Sequence, residues 1–171
     1  MRVTLVDTEV RICKWLAAQR FAVARNSGVS DRQMGPQSSE QTDLDGIAGE
    51  FAFCKAMNLW PDMTIGARSG GHDAALGALS IDVKTTRHAS GHLLATTKKS
   101  DNASDVYVLV IGTIPEFRVV GWAAAAMLFH QDNLSDFGHG LGYALPQCRL
   151  RPLHELRDSA RRIITGVYSA V

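Results

Sequence analysis

Apolar residues recur at helical spacing near the start of the chain. Val10, Cys13, Leu16, Ala17, Phe21 and Ala24 form one stripe, and Asp7 or Thr8 stands where a cap belongs. This predicts a helix over about 8–25, with the basic residues mostly off the stripe. A second stripe, Leu44, Ile47, Phe51 and Cys54, predicts a helix over about 44–58, capped by Asp43 or Asp45. Residues 26–42, rich in Gly, Ser, Gln and Asp, read as a long loop between the two. Trp60-Pro61 closes the helical region, and Met63 and Ile65 alternate as a first strand over 63–67. Residues 87–99 support only a loop or a short helix. Their His88 and His92, four apart, lack a third soft ligand for zinc. The unbroken apolar run Val106–Ile111 predicts a buried central strand. Pro115 marks a turn into a strand over 117–122, followed by a helix of strong formers over 123–129 and a polar loop over 131–142. Pro152 opens a helix over about 152–164, with Leu153, Leu156, Ala160 and Ile163 as its stripe.

The pattern is most specific over residues 71–86. Two short runs flank Gly77-Ala78, and Gly in first place suits a two-residue II′ turn. Such a turn sets Leu76 opposite Leu79, Ala75 opposite Ser80, Ala74 opposite Ile81 and Asp73 opposite Asp82. Alternation then puts Leu79, Ile81, Val83 and Thr85 on one face. Ser80, Asp82, Lys84 and Thr86 take the other, with Asp73 and Ala75. Two carboxylates would face each other with Cβ atoms about 5 Å apart. At an effective dielectric of about 20 their repulsion is on the order of 3 kcal/mol. A hard divalent cation reverses that sign, because it takes oxygen ligands and neutralises both acids. Lys84 projects beside the pair.

Glu50 lies at the edge of the second helical stripe, three residues after Ile47 and four before Cys54. A carboxylate so placed needs a partner. Either it points over the sheet toward a metal, or it is a boundary acid paired with an Arg or Lys. Gly46 and Gly49, poor helix formers, indicate close approach of this helix to the sheet. Asp43 and Asp45 are better explained as caps than as ligands.

Asp73, then Asp82-Val83-Lys84 on the next strand, with Glu50 on a preceding helix, resembles the PD-(D/E)XK nuclease superfamily. The resemblance covers residues 43–122 and is nearest to the small phage and prophage-type members. The proline of the motif name is absent, and His72 precedes Asp73. The resemblance implies an α/β fold: a restriction-endonuclease-like mixed central sheet flanked by helices, in the order α-β-β-β-α-β. It also implies a hydrolase, a metal-dependent (endo)deoxyribonuclease. Asp73, Asp82 and the Val83 carbonyl would bind Mg²⁺ or Mn²⁺, and Glu50 a second metal or an outer-shell water. Lys84 would orient the attacking water and stabilise developing negative charge. Thr86, on the same face, is an accessory donor. DNA is the expected partner, and pairing is frequent among duplex cutters of this superfamily, which leaves a homodimer open. Two other readings compete. One is a catalytically silent nucleic-acid-binding module that keeps the fold. The other is an interaction domain in which Asp82 and Lys84 are a surface pair.

Composition adds little beyond class. The chain has 171 residues, 46% of them hydrophobic and 20% charged, as expected of a single domain over 1–171 with a real core. A formal charge of +1 does not announce a nucleic-acid binder, but its distribution is uneven. Residues 1–25 carry Arg2, Arg11, Lys14, Arg20 and Arg25 against Asp7 and Glu9, and five arginines fall within 149–162. Residues 83–99 carry Lys84, Arg87, Lys98 and Lys99 with no acid among them; the last three are candidate phosphate contacts. Cys13, Cys54 and Cys148, widely spaced, read as reduced, buried thiols of a cytoplasmic protein. No segment has the apolar length of a membrane span, and no signal-peptide pattern opens the chain.

Overall fold

A computed structural model describes residues 1–26, 38–66, 71–97, 103–136 and 140–159. The elements in chain order are β1 (Arg2–Thr4), α1 (Asp7–Asn26), α2 (Ser39–Met57), β2 (Ala74–Leu76), β3 (Leu79–Thr86) and β4 (Leu93–Thr96). They continue with β5 (Val106–Thr113), β6 (Glu116–Ala124), α3 (Ala125–Leu128), β7 (Leu134–Asp136) and β8 (Leu141–Leu145). Residues 153–159 are helical as well.

The fold is mixed α/β. A five-stranded sheet runs β1-β6-β5-β3-β2, and a three-stranded antiparallel sheet runs β4-β8-β7. Only β3 and β5 pair in parallel within the larger sheet. Asp105 clamps that pair at its start: its carboxylate accepts from the Ser80 amide at 2.8 Å and the Ser80 hydroxyl at 2.6 Å. These bonds hold its carboxyl below the usual carboxylate range.

Two apolar clusters explain the layering. Cys13, Leu16 and Ala17 of α1 and Ile47, Ala48 and Phe51 of α2 pack on Ile81, Val83, Val106, Val108 and Val110. On the opposite face Tyr107, Leu109 and Ile111 pack on Leu93, Ala95, Leu128 and Leu145 of the small sheet and α3. Covering on both sides is why β5 is apolar at successive positions rather than alternating. No helix among the described residues is long and apolar enough to cross a membrane.

The first helix, the hairpin, the central strand and its neighbour lie where the pattern placed them. The second helix starts earlier than expected. Ser38, not Asp43 or Asp45, is its cap, its hydroxyl accepting from the Gln41 amide at 3.2 Å. The tail of the expected loop, 39–42, is therefore helical, and residues 27–37 lie outside the described residues. Residues 63–66 are not a strand; the carbonyls of Asp62 and Thr64 are instead taken by the Arg20 side chain. The expected helix at 123–129 shrinks to α3, because Ala123 and Ala124 pair with Tyr107 and Val106. Segments read as loops over 87–99 and 131–142 contribute β4, β7 and the start of β8. Of the α-β-β-β-α-β order, the first of the three strands and the crossover helix are absent among the described residues. Residues 160–164 of the expected last helix lie outside them. Cys13 and Cys54 are buried as expected, whereas Cys148 is exposed.

A candidate site where the edge strand ends

The hairpin forms in the expected register, Leu76↔Leu79, Ala75↔Ser80 and Ala74↔Ile81. Gly77 has φ 61° while Ala78 is not among the positive-φ residues, the combination of a II′ turn. Pairing stops at Ala74, and the next residue corrects the face-to-face arrangement of acids expected from the register. The Asp73 amide donates to the Ile81 carbonyl at 2.8 Å. Its carboxylate accepts from the Val83 amide at 2.7 Å. Asp73 thus stands in for the strand residue that is missing there. A residue's N–H and C=O point to the same neighbouring strand, so the Val83 carbonyl shares this open edge with Asp73.

Asp82 and Lys84 project together, as alternation requires, on the face away from α1 and α2. Asp82 is 2% exposed and forms an ion pair with Lys84, whose side chain is 32% exposed. The repulsion expected between the two acids is therefore relieved twice, by a backbone amide on Asp73 and by an ammonium on Asp82.

Glu50 reaches the sheet from the other side. A Cβ on Gly49 would stand 1.9 Å from the Thr85 hydroxyl oxygen, so only glycine lets α2 lie this close to β3. The following residue, Glu50, is 6% exposed, and Arg20 of α1 donates to it at 3.4 Å. Arg20, itself 8% exposed, also donates to the Thr64 carbonyl at 3.0 Å, the Asp62 carbonyl at 2.8 Å and the Asp62 carboxylate at 3.2 Å. Of the two roles open to Glu50, the structure displays the ion pair. Arg20 is the buried exception among basic residues otherwise off the α1 stripe. Its place four residues after Leu16 was the available signal.

Cys54 ties the acids together. Its thiol is pushed up to about 12, first by burial, then by the charges of Glu50 and Asp73. Cys13 is likewise pushed up to about 12 by burial, Glu9 and Glu50. Glu50 and Asp73 thus both act on the Cys54 thiol, while alternation along β3 puts Asp82 and Lys84 on the sheet face away from α2. Beside Asp73 opens a cleft of about 650 Å³, walled by residues 60–64 and by His72, Asp73, Ala74 and Ala75. Trp60, Asp62 and Arg20 were not singled out as site residues from the sequence.

Thr86 accepts from the His88 amide at 3.2 Å. Arg87 is engaged with Asp45, its guanidinium donating at 2.9 Å, so neither residue is a cap or an open phosphate contact. Lys98 and Lys99 lie outside the described residues. His88 and His92 flank a turn at residues 89–90 and do not lie on a helix. Among the described residues no three His, Cys, Asp or Glu side chains form a group that could hold a metal ion. The oxygens that do suit a hard cation together are the Asp73 carboxylate and the Val83 carbonyl. Asp82 and Glu50 would join them only by exchanging Lys84 or Arg20 for the ion.

No curated protein and no solved structure matches the chain. Residues 1–113, a stretch that includes Glu50, Asp73, Asp82 and Lys84, match a family model described as a family of unknown function (DUF5843), and the chain belongs to that family.

Proposed function

We propose that this protein is a metal-dependent nuclease that hydrolyses phosphodiester bonds, with DNA as substrate. One observation carries the reading. The hairpin register brings the Asp73 carboxylate onto the amide of Val83, the residue between the paired Asp82 and Lys84, with Glu50 on the helix packed against the same strand. Asp73, the Val83 carbonyl and Asp82 would hold Mg²⁺ or Mn²⁺, with Glu50 at the periphery. The bound ion supplies Lewis acidity toward the phosphate and lowers the pKa of coordinated water. Lys84 would orient the attacking water and face the charge that develops on phosphate oxygen. Asp82 holds Lys84 in place and would contribute an oxygen to a bound ion.

The ion pairs also favour a second reading. Asp82 with Lys84 and Glu50 with Arg20 are already neutralised, as they would be in a nucleic-acid-binding module that does not cut.

Incubation of purified protein with DNA and Mg²⁺ or Mn²⁺, alongside Asp82→Ala and Lys84→Ala, separates the two. The nuclease cuts, and each substitution lowers the rate by about 10²–10³-fold, the usual cost of one transition-state contact. Equal cleavage by all three proteins would identify a contaminant. Salt-sensitive binding without cutting would establish the silent module.

A further inference from the structure

Trp60 is 85% exposed, yet it is not on a loose segment. Asn58 closes α2 in the left-handed conformation at φ 56°, and the Leu59 amide returns to the Cys54 carbonyl at 2.8 Å. Pro61 follows directly. Arg20 then holds the carbonyls on either side of Met63, and the Thr64 amide donates to the Asp62 carboxylate at 2.9 Å. The largest apolar side chain type is therefore mounted in water on a fixed stretch of backbone. Trp122 shows the contrast: it is buried, with its indole N–H donating to the Pro152 carbonyl at 3.0 Å. Trp60 walls the same cleft as Asp73, together with Met63 and His72.

We propose that Trp60 is a stacking platform for an unpaired nucleobase, which places the adjoining phosphate at Asp73. The inference rests on the nuclease reading and names its substrate as single-stranded or frayed nucleic acid. An exposed indole face stacks on any base and needs no particular sequence. A base inside a duplex already has both faces covered and offers none. Charge sets the polarity of the bound nucleotide. Asp62, on the cleft wall beside Trp60, repels phosphate, so the base rather than the backbone enters there. The cleft lies within the volume range in which proteins hold small organic groups.

The test is fluorescence anisotropy of a labelled single-stranded oligonucleotide in EDTA, followed by cleavage in Mn²⁺. Trp60→Ala weakens single-strand binding about tenfold, the worth of one stacked base. Trp60→Phe, which keeps an aromatic face, retains most of the affinity. Trp15→Ala, removing the other exposed tryptophan at 53%, changes nothing. Binding of a blunt duplex is indifferent to Trp60→Ala. Unchanged single-strand affinity in Trp60→Ala, or an equal loss in Trp15→Ala, overturns the platform. Trp60-dependent binding with no cutting in Mn²⁺ upholds the platform and counts against the nuclease. Undiminished binding and cutting by Trp60→Ala does the reverse.

Discussion

Arg20 shows how much one side chain organises. It joins α1 to Glu50 of α2 and to the segment that carries Trp60 and the cleft wall. Breaking a buried ion pair from one side leaves a charge without its counterion, which costs about 3–5 kcal/mol. Replacing both members by apolar residues removes the charge problem altogether. Arg20→Met is therefore expected to lower stability by about 3–5 kcal/mol in urea titrations, and Arg20→Met with Glu50→Leu to recover most of that loss. A double variant no more stable than the single one would mean that Arg20 acts mainly through the Asp62 and Thr64 carbonyls. At this scale the sequence was half legible. Glu50 at a stripe edge announced a need for a partner, but the partner sits thirty residues earlier on another helix, and spacing along one helix does not show which cation turns inward.

Between elements, the decisive contact is α2 against β3. Gly49 has no Cβ, and the space a Cβ would take is filled by the Thr85 hydroxyl and methyl. The Thr85 hydroxyl oxygen is buried without a hydrogen-bond partner among the described residues. Gly49→Ala is expected to push the helix off the strand and cost about 1–3 kcal/mol, as overpacking does. Adding Thr85→Ala relieves part of the clash, so the double variant should unfold later than Gly49→Ala alone. Thr85→Val, which replaces an unsatisfied hydroxyl by a methyl, is expected to be neutral or stabilising by about 1 kcal/mol. Additive losses in the double variant would show that the two residues do not press on each other. The glycine in the helix was a readable sign of close approach, and the two-residue turn fixed the hairpin. The first expected strand failed because two alternating residues, Met63 and Ile65, carry little weight against a buried guanidinium that claims the backbone between them. The alanines at 123–124 joined β6 because their place opposite Tyr107 and Val106 outweighs helix propensity. Strands as short as β1, β4 and β7, of three or four residues, are too brief to show a period.

For the molecule as a whole, the large sheet is a partition. Helices and Glu50 lie on one side; the small sheet, Asp82 and Lys84 lie on the other. The two sides communicate where β2 ends at Ala74 and the edge of β3 is left to Asp73 and the Val83 backbone. A cation held there would bind the folded chain and not the unfolded one, because the unfolded chain does not hold Asp73 against the Val83 backbone. Its stabilisation grows with the logarithm of ligand excess, reaching about 2.7 kcal/mol at a hundredfold excess over Kd. In a chain of this size each kcal/mol moves the melting midpoint by about 2–4 °C, so a rise of about 5–10 °C is expected in saturating Mn²⁺. Asp73→Asn, which keeps the shape but withdraws the charge, should abolish the rise while melting near the parent in EDTA. Asp82→Asn should reduce it, because that carboxylate must leave Lys84 to take part. If the parent midpoint does not move with either Mg²⁺ or Mn²⁺, the open edge holds no ion, and the Asp82–Lys84 pair is a structural ion pair, as the interaction-domain reading requires.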